Sequence, residues 1–277
     1  MLDLFALADE NRPRLDARWT ELIQSRPNDS SRGALQNFQA VVRDARLSIN
    51  MTSTKLRSFM ERGEHINPYE LARWRASVSG TDAEAELRSQ QAEHYDRRVC
   101  FDRSFVRGEE FRYAALNLGG LGLNYYGGVC VVFSPKVFED WRVAVVPGNS
   151  LDLYVTPASG ARLDEAQLRY DVGAHDRRHT VAALKHADDD LTDETRWPSV
   201  LCDGNNSFIE AIFVGRATPA LVEEIRVEAK VFDLAYDKLT TPDTPLEREQ
   251  REERERIARV VASLPDSLAS TLRVIDD

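Results

Sequence analysis

Apolar residues recur at helical spacing along the first hundred positions of the chain. The first two clusters contain, in order, Leu15, Trp19, Leu22, Ile23, Leu35, Phe38, Val41, Val42 and Ala45. Residues three and four positions apart lie on one face of a helix, so each cluster predicts an amphipathic helix. The polar segment 27–31 separates them. The pattern therefore predicts a helical N-terminal region.

A strand followed by a capped helix is predicted next. Apolar side chains alternate with polar ones from Leu47 to Met51, which is typical of a short strand. The hydroxyls of Thr52–Thr54 are suited to cap a helix, and Gly63 is suited to end it. Further on, the pattern predicts a charged helix from about Thr81 to Tyr95 that leads into the apolar segment Val99–Phe101, and a helical stretch over Glu109–Leu116.

Beyond residue 128 the pattern changes to strands. Apolar runs bounded by turn residues predict strands at Val129–Phe133, Trp141–Val146, Leu151–Val155, Ser207–Val214 and Ile225–Phe232. The segment Pro245–Ala258 alternates acidic and basic residues and predicts a charged C-terminal helix. These elements together predict an α+β fold.

Glu210 lies where a strand does not normally carry a charge. The strand Ser207–Val214 is apolar on both faces, and Glu210 shares its face with Phe208, Ile212 and Val214. Burying an unpaired charge costs several kcal/mol, so the carboxylate needs a partner or a cleft. A carboxylate in a cleft is a candidate site residue. The alternative is a structural Glu that pairs with an Arg or caps a backbone amide.

The next strand serves as an internal control for this argument. Ile225 and Val227 alternate with Arg226, Glu228 and Lys230, which is the pattern of a half-buried strand with its charges in solvent. Glu228 is therefore predicted to be a surface charge.

Composition limits the kinds of partner. The 277 residues are 42% hydrophobic and 30% charged, as in ordinary globular proteins, and the formal net charge is −10. This charge argues against an extended nucleic-acid groove and favours small molecules and proteins. No apolar run approaches the roughly 20 residues of a membrane span, and the N-terminus does not resemble a signal peptide. We therefore expect a cytoplasmic protein with no membrane partner.

Metal and disulfide chemistry are not expected. The cysteines at positions 100, 130 and 202 are odd in number and widely spaced, so they indicate neither a disulfide framework nor a zinc site. His175 and His179 are one helical turn apart and could share a metal, but His186 would lie about 16 Å from His175 along the same helix. A metal-dependent hydrolase that uses His175 and His179 remains a third possibility.

A glycine-rich segment precedes the strand at Val129. Residues 117–128 contain five glycines, which allow either sharp turns or close approach of the backbone to a ligand. The segment matches neither a phosphate loop nor a dinucleotide fingerprint, since no Gly-Lys-Ser/Thr follows and Gly120 and Gly122 have no third glycine at the required spacing.

Three segments together resemble the ADP-ribosyltransferase fold of bacterial toxins and phage-defence proteins, including DNA-targeting toxins of toxin–antitoxin pairs and AbiGi-like abortive-infection proteins. They are residues 50–63, the pair Val99–Phe101 and 126–133, and residues 208–227. They are similar in turn to the opening strand and helix, to the middle strands below the NAD pocket, and to the strand with the catalytic Glu. The resemblance implies a central split sheet, antiparallel or mixed, within domain 47–240, between a helical region 1–46 and a charged helix in 241–277.

The resemblance also implies roles for individual residues. Glu210 would be catalytic, NAD would be the substrate, and no metal would be needed. The residues implied in NAD binding are Arg46, Asn50, Thr52, Ser53, Arg112, Asn117, Tyr125 and Tyr126. The family usually has His or Arg at the first strand, where this chain has Asn50. The acceptor would be a protein, a nucleic acid or a small molecule, and an antitoxin would be a possible partner. The alternative is a non-catalytic binding or antitoxin-like protein on the same scaffold.

Overall fold

Helices account for most of the regular structure in the computed structural model, which describes residues 1–27, 30–156, 160–202, 207–232 and 244–275. In chain order the helices are α1 (Leu4–Glu10), α2 (Arg12–Ser25), α3 (Ser30–Val42), α4 (Ser53–Arg62), α5 (Pro68–Ser79), α6 (Ala83–Gln91), α7 (Tyr95–Arg103), α8 (Val137–Asp140), α9 (Ser150–Tyr154), α10 (Glu165–Asp171), α11 (Arg178–Lys185), α12 (Trp197–Cys202), α13 (Pro245–Ala262) and α14 (Asp266–Ala269).

The strands form one mixed sheet, so the fold is α+β. They are β1 (Arg46–Met51), β2 (Arg112–Asn117), β3 (Val129–Phe133), β4 (Arg142–Val146), β5 (Gly173–Ala174), β6 (Glu210–Val214), β7 (Val222–Glu228) and β8 (Leu272–Ile275). Their order across the sheet is β5-β4-β6-β2-β1-β3-β7-β8. All neighbours are antiparallel except β7 and β8, which are parallel. Hydrogen bonds run continuously from β5 to β8. The sheet is therefore not split, which differs from the prediction.

The two faces of the sheet differ in character. One face is largely apolar and forms the largest core with helices that include α2, α3, α11 and α13. The other face is apolar near β4, where α1, α9 and α10 cover it. From β6 to β7 this second face carries polar side chains, which we call the polar stripe: Ser48, Asn50, Asn117, Glu210 and Arg226. Each of these is at most 9% exposed.

The predicted segment from β1 to α4 is confirmed. The Thr52 side chain accepts a hydrogen bond from the Lys55 N–H and caps α4. Gly63 ends that helix with φ of 72°, a left-handed conformation that glycine adopts without steric cost. The two N-terminal amphipathic helices and the charged helix α13 are also present where the pattern predicted them, and the strand carrying Glu210 is present but begins at Glu210 rather than at Ser207.

Three sequence-based assignments are wrong. Val99–Phe101 belongs to α7, because a run of three apolar residues fits either period and the residues on both sides continue a helix. Most of the helical stretch predicted over Glu109–Leu116 is β2, which pairs with β1 and β6 on its two sides. Here tertiary pairing overrides the helix propensity of the alanines. Leu151–Val155 is mostly α9, because the Asn149 side chain caps a helix at the Leu151 N–H.

The charged face of β7 also differs from expectation. The pattern predicts Arg226 in solvent with Glu228 and Lys230, but Arg226 is 9% exposed and belongs to the polar stripe, where it contacts Asn117. Its guanidinium forms an ion pair with Glu224, with nitrogen and oxygen 2.6 Å apart. Charged residues on one side of a strand therefore did not indicate solvent in this case, because the facing surface is itself polar.

Candidate functional site

Glu210 begins β6, between β2 and β4. Its cross-strand neighbours are Ala115 on β2 and Val146 on β4. Both are apolar, so Glu210 is the only ionisable residue of these three paired positions. The side chain is 6% exposed, and Ile212 and Val214 on the same face of β6 are buried in the core beside it. The alternation of the strand therefore places a carboxylate inside the protein, as the sequence predicted.

A backbone amide holds the Glu210 carboxylate. The Ser150 N–H, at the start of α9, donates to Glu210 Oε2 at 2.9 Å. Burial raises the pKa of Glu210, while the charge of Arg98 and hydrogen bonding by Ser150 act in the opposite direction. In the described part of the chain, no Arg or Lys lies within ion-pair distance of Glu210. Of the two structural alternatives, the contact is thus the amide cap rather than the Arg pair.

A second buried charged group lies nearby on α7. Arg98 Nη1 is 3.7 Å from Asp102 Oδ1, and its guanidinium stacks 3.9 Å above the ring of Tyr113. The Tyr113 hydroxyl donates to Asp102. Burial raises the pKa of Asp102 to about 6, although Arg98 and the tyrosine hydrogen bonds oppose the shift. Arg98 therefore interacts with two buried carboxylates. It contacts Asp102 directly, and its charge acts on Glu210 at longer range.

The rest of the polar stripe forms a hydrogen-bonded network. Asn117 Nδ2 donates to Ser48 Oγ at 3.2 Å, and Asn117 Oδ1 accepts from Arg226 Nη1 at 2.9 Å. Asn117 Nδ2 also lies 3.5 Å from the Cys130 thiol sulfur. Because these contacts satisfy buried polar groups on four neighbouring strands, the network stabilises the stripe without any added ligand.

This network also fixes the glycine-rich loop. Asn50 Nδ2 donates to the carbonyls of Leu121 at 2.9 Å and Gly127 at 3.0 Å, and Arg226 donates to the carbonyl of Gly120 at 3.1 Å. A side chain at Gly127 would overlap the Met51 carbonyl group, so glycine is required for this close approach. The amide of Asn50 is thus occupied by the loop, and the loop lies across the stripe.

An aromatic pair lies at the far end of this loop. Tyr125 and Tyr126 have ring centroids 4.1 Å apart and are 68% and 39% exposed. Burial and hydrogen bonding to Tyr125 raise the pKa of Tyr126, and the charge of Glu210 raises it further. Tyr126 therefore lies within the electrostatic range of the buried carboxylate while remaining accessible to solvent.

The start of α4 is occupied by a carboxylate from the other end of the chain. Glu253 on α13 accepts from the Ser53 N–H at 2.6 Å through Oε1 and from the Ser53 hydroxyl at 2.9 Å through Oε2. Thr52 caps the same turn through the Lys55 N–H. Both predicted binding hydroxyls thus already have protein partners.

The two predicted arginines do not join the stripe. Arg112 faces the opposite side of the sheet from Glu210 and is held by Glu70, with Arg112 Nη2 2.7 and 2.8 Å from the two carboxylate oxygens. Arg46 pairs with Glu223 at 2.8 Å. The structure therefore places Glu210, Asn50 and Asn117 on one face of the sheet and the tyrosine pair on the loop that Asn50 holds, and it engages both arginines elsewhere.

Sequence reasoning missed four residues that shape this region: Arg98, Asp102, Ser150 and Glu253. The spacing of Arg98 and Asp102 is the i, i+4 spacing of a helical ion pair, and this signal was present in the sequence. Asn149 before Ser150 is a helix-cap signal of the same local kind. Glu253 gives no such signal, because its partner is distant in the chain.

Of the two histidines considered as metal ligands, His175 lies in a 3-10 turn directly before α11 and His179 lies in α11. His175 stacks on Phe138 at 5.6 Å between ring centroids, and His179 is buried in α11. Burial and the charges of Arg43, Arg178 and Arg177 lower the pKa of His179 to about 4. Within the described residues, no group of three or more His, Cys, Asp or Glu is placed to hold a metal ion.

None of the described helices is both long and apolar enough to cross a lipid bilayer. Comparison of the chain with protein-family models and with curated proteins finds no match. The functional interpretation therefore depends on the geometry around Glu210.

Proposed function

We propose that the protein transfers ADP-ribose from NAD to a macromolecular or small acceptor, with Glu210 as the catalytic carboxylate. The observation that carries the proposal is a carboxylate on a central strand, buried without an ion-pair partner among the described residues and held by one backbone amide. Such a group is costly for folding, and costly groups concentrate at functional sites. A role as a toxin or defence effector, with an antitoxin as partner, is part of the same proposal.

The chemistry needs a fixed negative charge more than it needs a proton donor. When the bond between nicotinamide and ribose breaks, its electron pair goes to the ring nitrogen, so nicotinamide leaves as a neutral molecule. Positive charge then develops on the ribose, and a preorganised carboxylate stabilises it. The acceptor forms its bond to the anomeric carbon and releases a proton. Burial raises the pKa of Glu210, and the charge of Arg98 and the Ser150 amide act in the opposite direction, toward the ionised form that this step requires.

The surroundings of Glu210 support a dinucleotide as the substrate. Tyr125 and Tyr126 offer exposed rings for stacking against an aromatic base. The start of α4 presents the Ser53 N–H and hydroxyl, which bind an oxyanion in the structure. At a strand spacing of about 4.8 Å, Ser48 lies roughly 10 Å from Glu210 across the sheet. Ser53 begins α4, which follows β1, so only an extended ligand could reach both Glu210 and Ser53.

The first test is release of nicotinamide from labelled NAD by the wild-type protein and by Glu210→Gln, with a cell lysate as the source of acceptors. We expect release by wild type and a loss of at least about a hundredfold in the variant, the scale typical of removing one electrostatic catalyst. Glu228→Gln is the matched control, because Glu228 is on β7, which β2, β1 and β3 separate from β6, and lies outside the proposed site. Equal release by wild type and Glu210→Gln would refute the catalytic role.

The amide cap favours a second function, a non-catalytic binding or antitoxin-like protein on the same scaffold. In that case Glu210 serves only to hold the start of α9. NAD would then produce no thermal stabilisation, whereas a transferase gains stability by mass action as NAD binds. Glu210→Ala would also destabilise the scaffold clearly, since it leaves the Ser150 N–H buried without its acceptor.

A further inference from the structure

Helix α5 has apolar residues on two opposite faces. One face is buried against neighbouring helices, which include α6. On the other side of the helix, Trp74 and Val78 lie one turn apart and are 46% and 71% exposed. The half-buried Leu71 continues the same stripe toward the start of the helix. The outer face of α5 therefore presents an apolar stripe to solvent.

Three cations surround this stripe. The Arg62 guanidinium, at the end of α4, lies 4.2 Å from the centroid of the Trp74 ring. Arg75 is exposed beside Trp74, and Lys55 is exposed two turns before Arg62 on the same side of α4. We call Lys55, Arg62, Trp74, Arg75 and Val78 the basic–apolar patch.

The positive charges of the patch have no ion-pair partner. In the described part of the chain, no acidic side chain lies within ion-pair distance of Lys55, Arg62 or Arg75. Arg62 donates to the Ser58 hydroxyl at 3.0 Å, but that hydroxyl carries no charge. Glu61 is exposed on α4 about 100° around the helix from Arg62. The three charges are thus available to a partner.

Two further acidic residues of this region are engaged elsewhere. Arg112 Nη2 lies 2.7 Å from a Glu70 carboxylate oxygen, and Arg216 Nε lies 2.9 Å from a Glu64 carboxylate oxygen. The patch is therefore a local positive surface on a chain whose formal net charge is −10. Such a surface attracts a negatively charged partner.

Tyr170 provides a comparison within the same protein. It is also 46% exposed, and the Arg18 guanidinium lies 3.8 Å from the centroid of its ring. Arg18, however, donates to the Tyr170 carbonyl at 2.7 Å and lies 4.0 Å from a carboxylate oxygen of Asp171. The arginine stacked on Tyr170 is thus held by acceptors of the protein itself, whereas the arginine stacked on Trp74 has no acidic partner among the described residues.

We propose that the basic–apolar patch is the docking site for an acidic amphipathic helix of a partner protein. Trp74 and Val78 contact the apolar face of that helix, and the three cations pair with acidic residues on its flanks. A protein is favoured over a nucleic acid because Val78, the most exposed apolar residue of the patch, offers an aliphatic contact and no ring on which a base could stack.

The patch is separate from the candidate site around Glu210. Leu56 and Phe59 attach α4 to the main hydrophobic cluster, which lies on the opposite face of the sheet from Glu210. The inference therefore does not depend on the transferase proposal.

The test uses a helical peptide of about 15 residues with leucine at the spacing i, i+3, i+4 and i+7, glutamate on the flanks and alanine elsewhere. The comparison peptide has lysine in place of every glutamate. Calorimetry should detect binding of the glutamate peptide alone, and this binding should weaken as added salt screens the charges.

Variants of the patch identify the residues that bind the peptide. Trp74→Ala and Arg75→Glu should each weaken binding of the glutamate peptide about tenfold or more, the scale of losing an interface hot spot. Tyr170→Ala is the matched control, because it removes an equally exposed, arginine-stacked ring outside the patch. Tyr170→Ala and Glu210→Gln should both bind the peptide as wild type does.

No binding of the glutamate peptide, equal binding of the two peptides, or undiminished binding by Trp74→Ala would overturn the proposal. Tighter binding of a single-stranded oligothymidylate would assign the patch to a nucleic acid instead. A dimer in analytical ultracentrifugation that Trp74→Ala abolishes would assign it to a second copy of the chain. Thermal unfolding of each variant confirms that the binding data come from folded protein.

Discussion

At the residue scale, the buried carboxylate of Glu210 couples stability to pH. Burial raises its pKa in the folded state, so folded protein binds the proton more tightly than unfolded protein does. The contribution of Glu210 to the free energy of unfolding is therefore greatest below the ordinary glutamate pKa. It falls as the pH rises through the higher pKa of the folded state.

Glu210→Gln should consequently raise Tm at pH 7 to 8, because the amide still accepts from the Ser150 N–H and carries no charge to bury. The gain should disappear near pH 4, where the carboxyl is protonated in both states. Calorimetric Tm values from pH 4 to 8 measure this difference. A gain that grows as pH falls would contradict the assignment of a raised pKa.

The Arg98–Asp102 pair should matter more for stability than any surface ion pair of the protein. Asp102→Ala leaves the Arg98 guanidinium buried without its partner and removes the acceptor of the Tyr113 hydroxyl. Loss of one partner of a buried pair typically costs about 3 to 5 kcal/mol. Urea unfolding of the variant measures the cost.

The double variant Arg98→Met/Asp102→Leu provides the control, since it removes both charges together. Its loss of unfolding free energy should be smaller than the sum of the losses in the single variants Arg98→Met and Asp102→Leu, because no unpaired charge remains. Strict additivity would show that the two side chains do not interact in the folded protein.

At the element scale, the glycine-rich loop depends on its close approach to β1. Gly127→Ala places a methyl group against the Met51 carbonyl, and the resulting strain should lower the unfolding free energy by about 1 to 3 kcal/mol. Loss of the loop contact should also increase hydrogen exchange at Tyr125 and Tyr126.

Gly33 in α3 is the matched control, because a methyl group there meets no other atom within 4 Å. Gly33→Ala should stabilise the protein by up to about 1 kcal/mol, since alanine favours a helix over glycine. Chemical unfolding of both variants would therefore show opposite signs. The same sign in both would indicate that Gly127 has no special packing requirement.

At the scale of the whole molecule, N-terminal and C-terminal helices pack against the same apolar face of the sheet. The main cluster contains Leu15 and Leu35 from the N-terminal helices together with Ile257 and Leu268 from the C-terminal segment. The second face is left partly polar, and it is this asymmetry that forms the candidate site. The net charge of −10 disfavours binding of a long nucleic acid to this surface.

Local periodicity predicted a considerable part of this arrangement. The alternation around Glu210 predicted its burial, and Thr52 with Gly63 predicted the limits of α4, because these signals depend only on neighbours in the chain. Local periodicity gave the wrong assignment at β2, where a run with helix propensity forms a central strand. Short apolar runs fit both periods, and strand pairing then decides between them.

The sequence by itself thus determined the α+β class and singled out a carboxylate where strand alternation demands an apolar side chain. Only the tertiary structure decided what surrounds it. Glu253 and Ser53 are separated by 200 positions, and Arg226 and Asn117 by 109. Contacts between such distant residues depend on how the whole sheet is ordered, and no local pattern of apolar and polar residues contains that information.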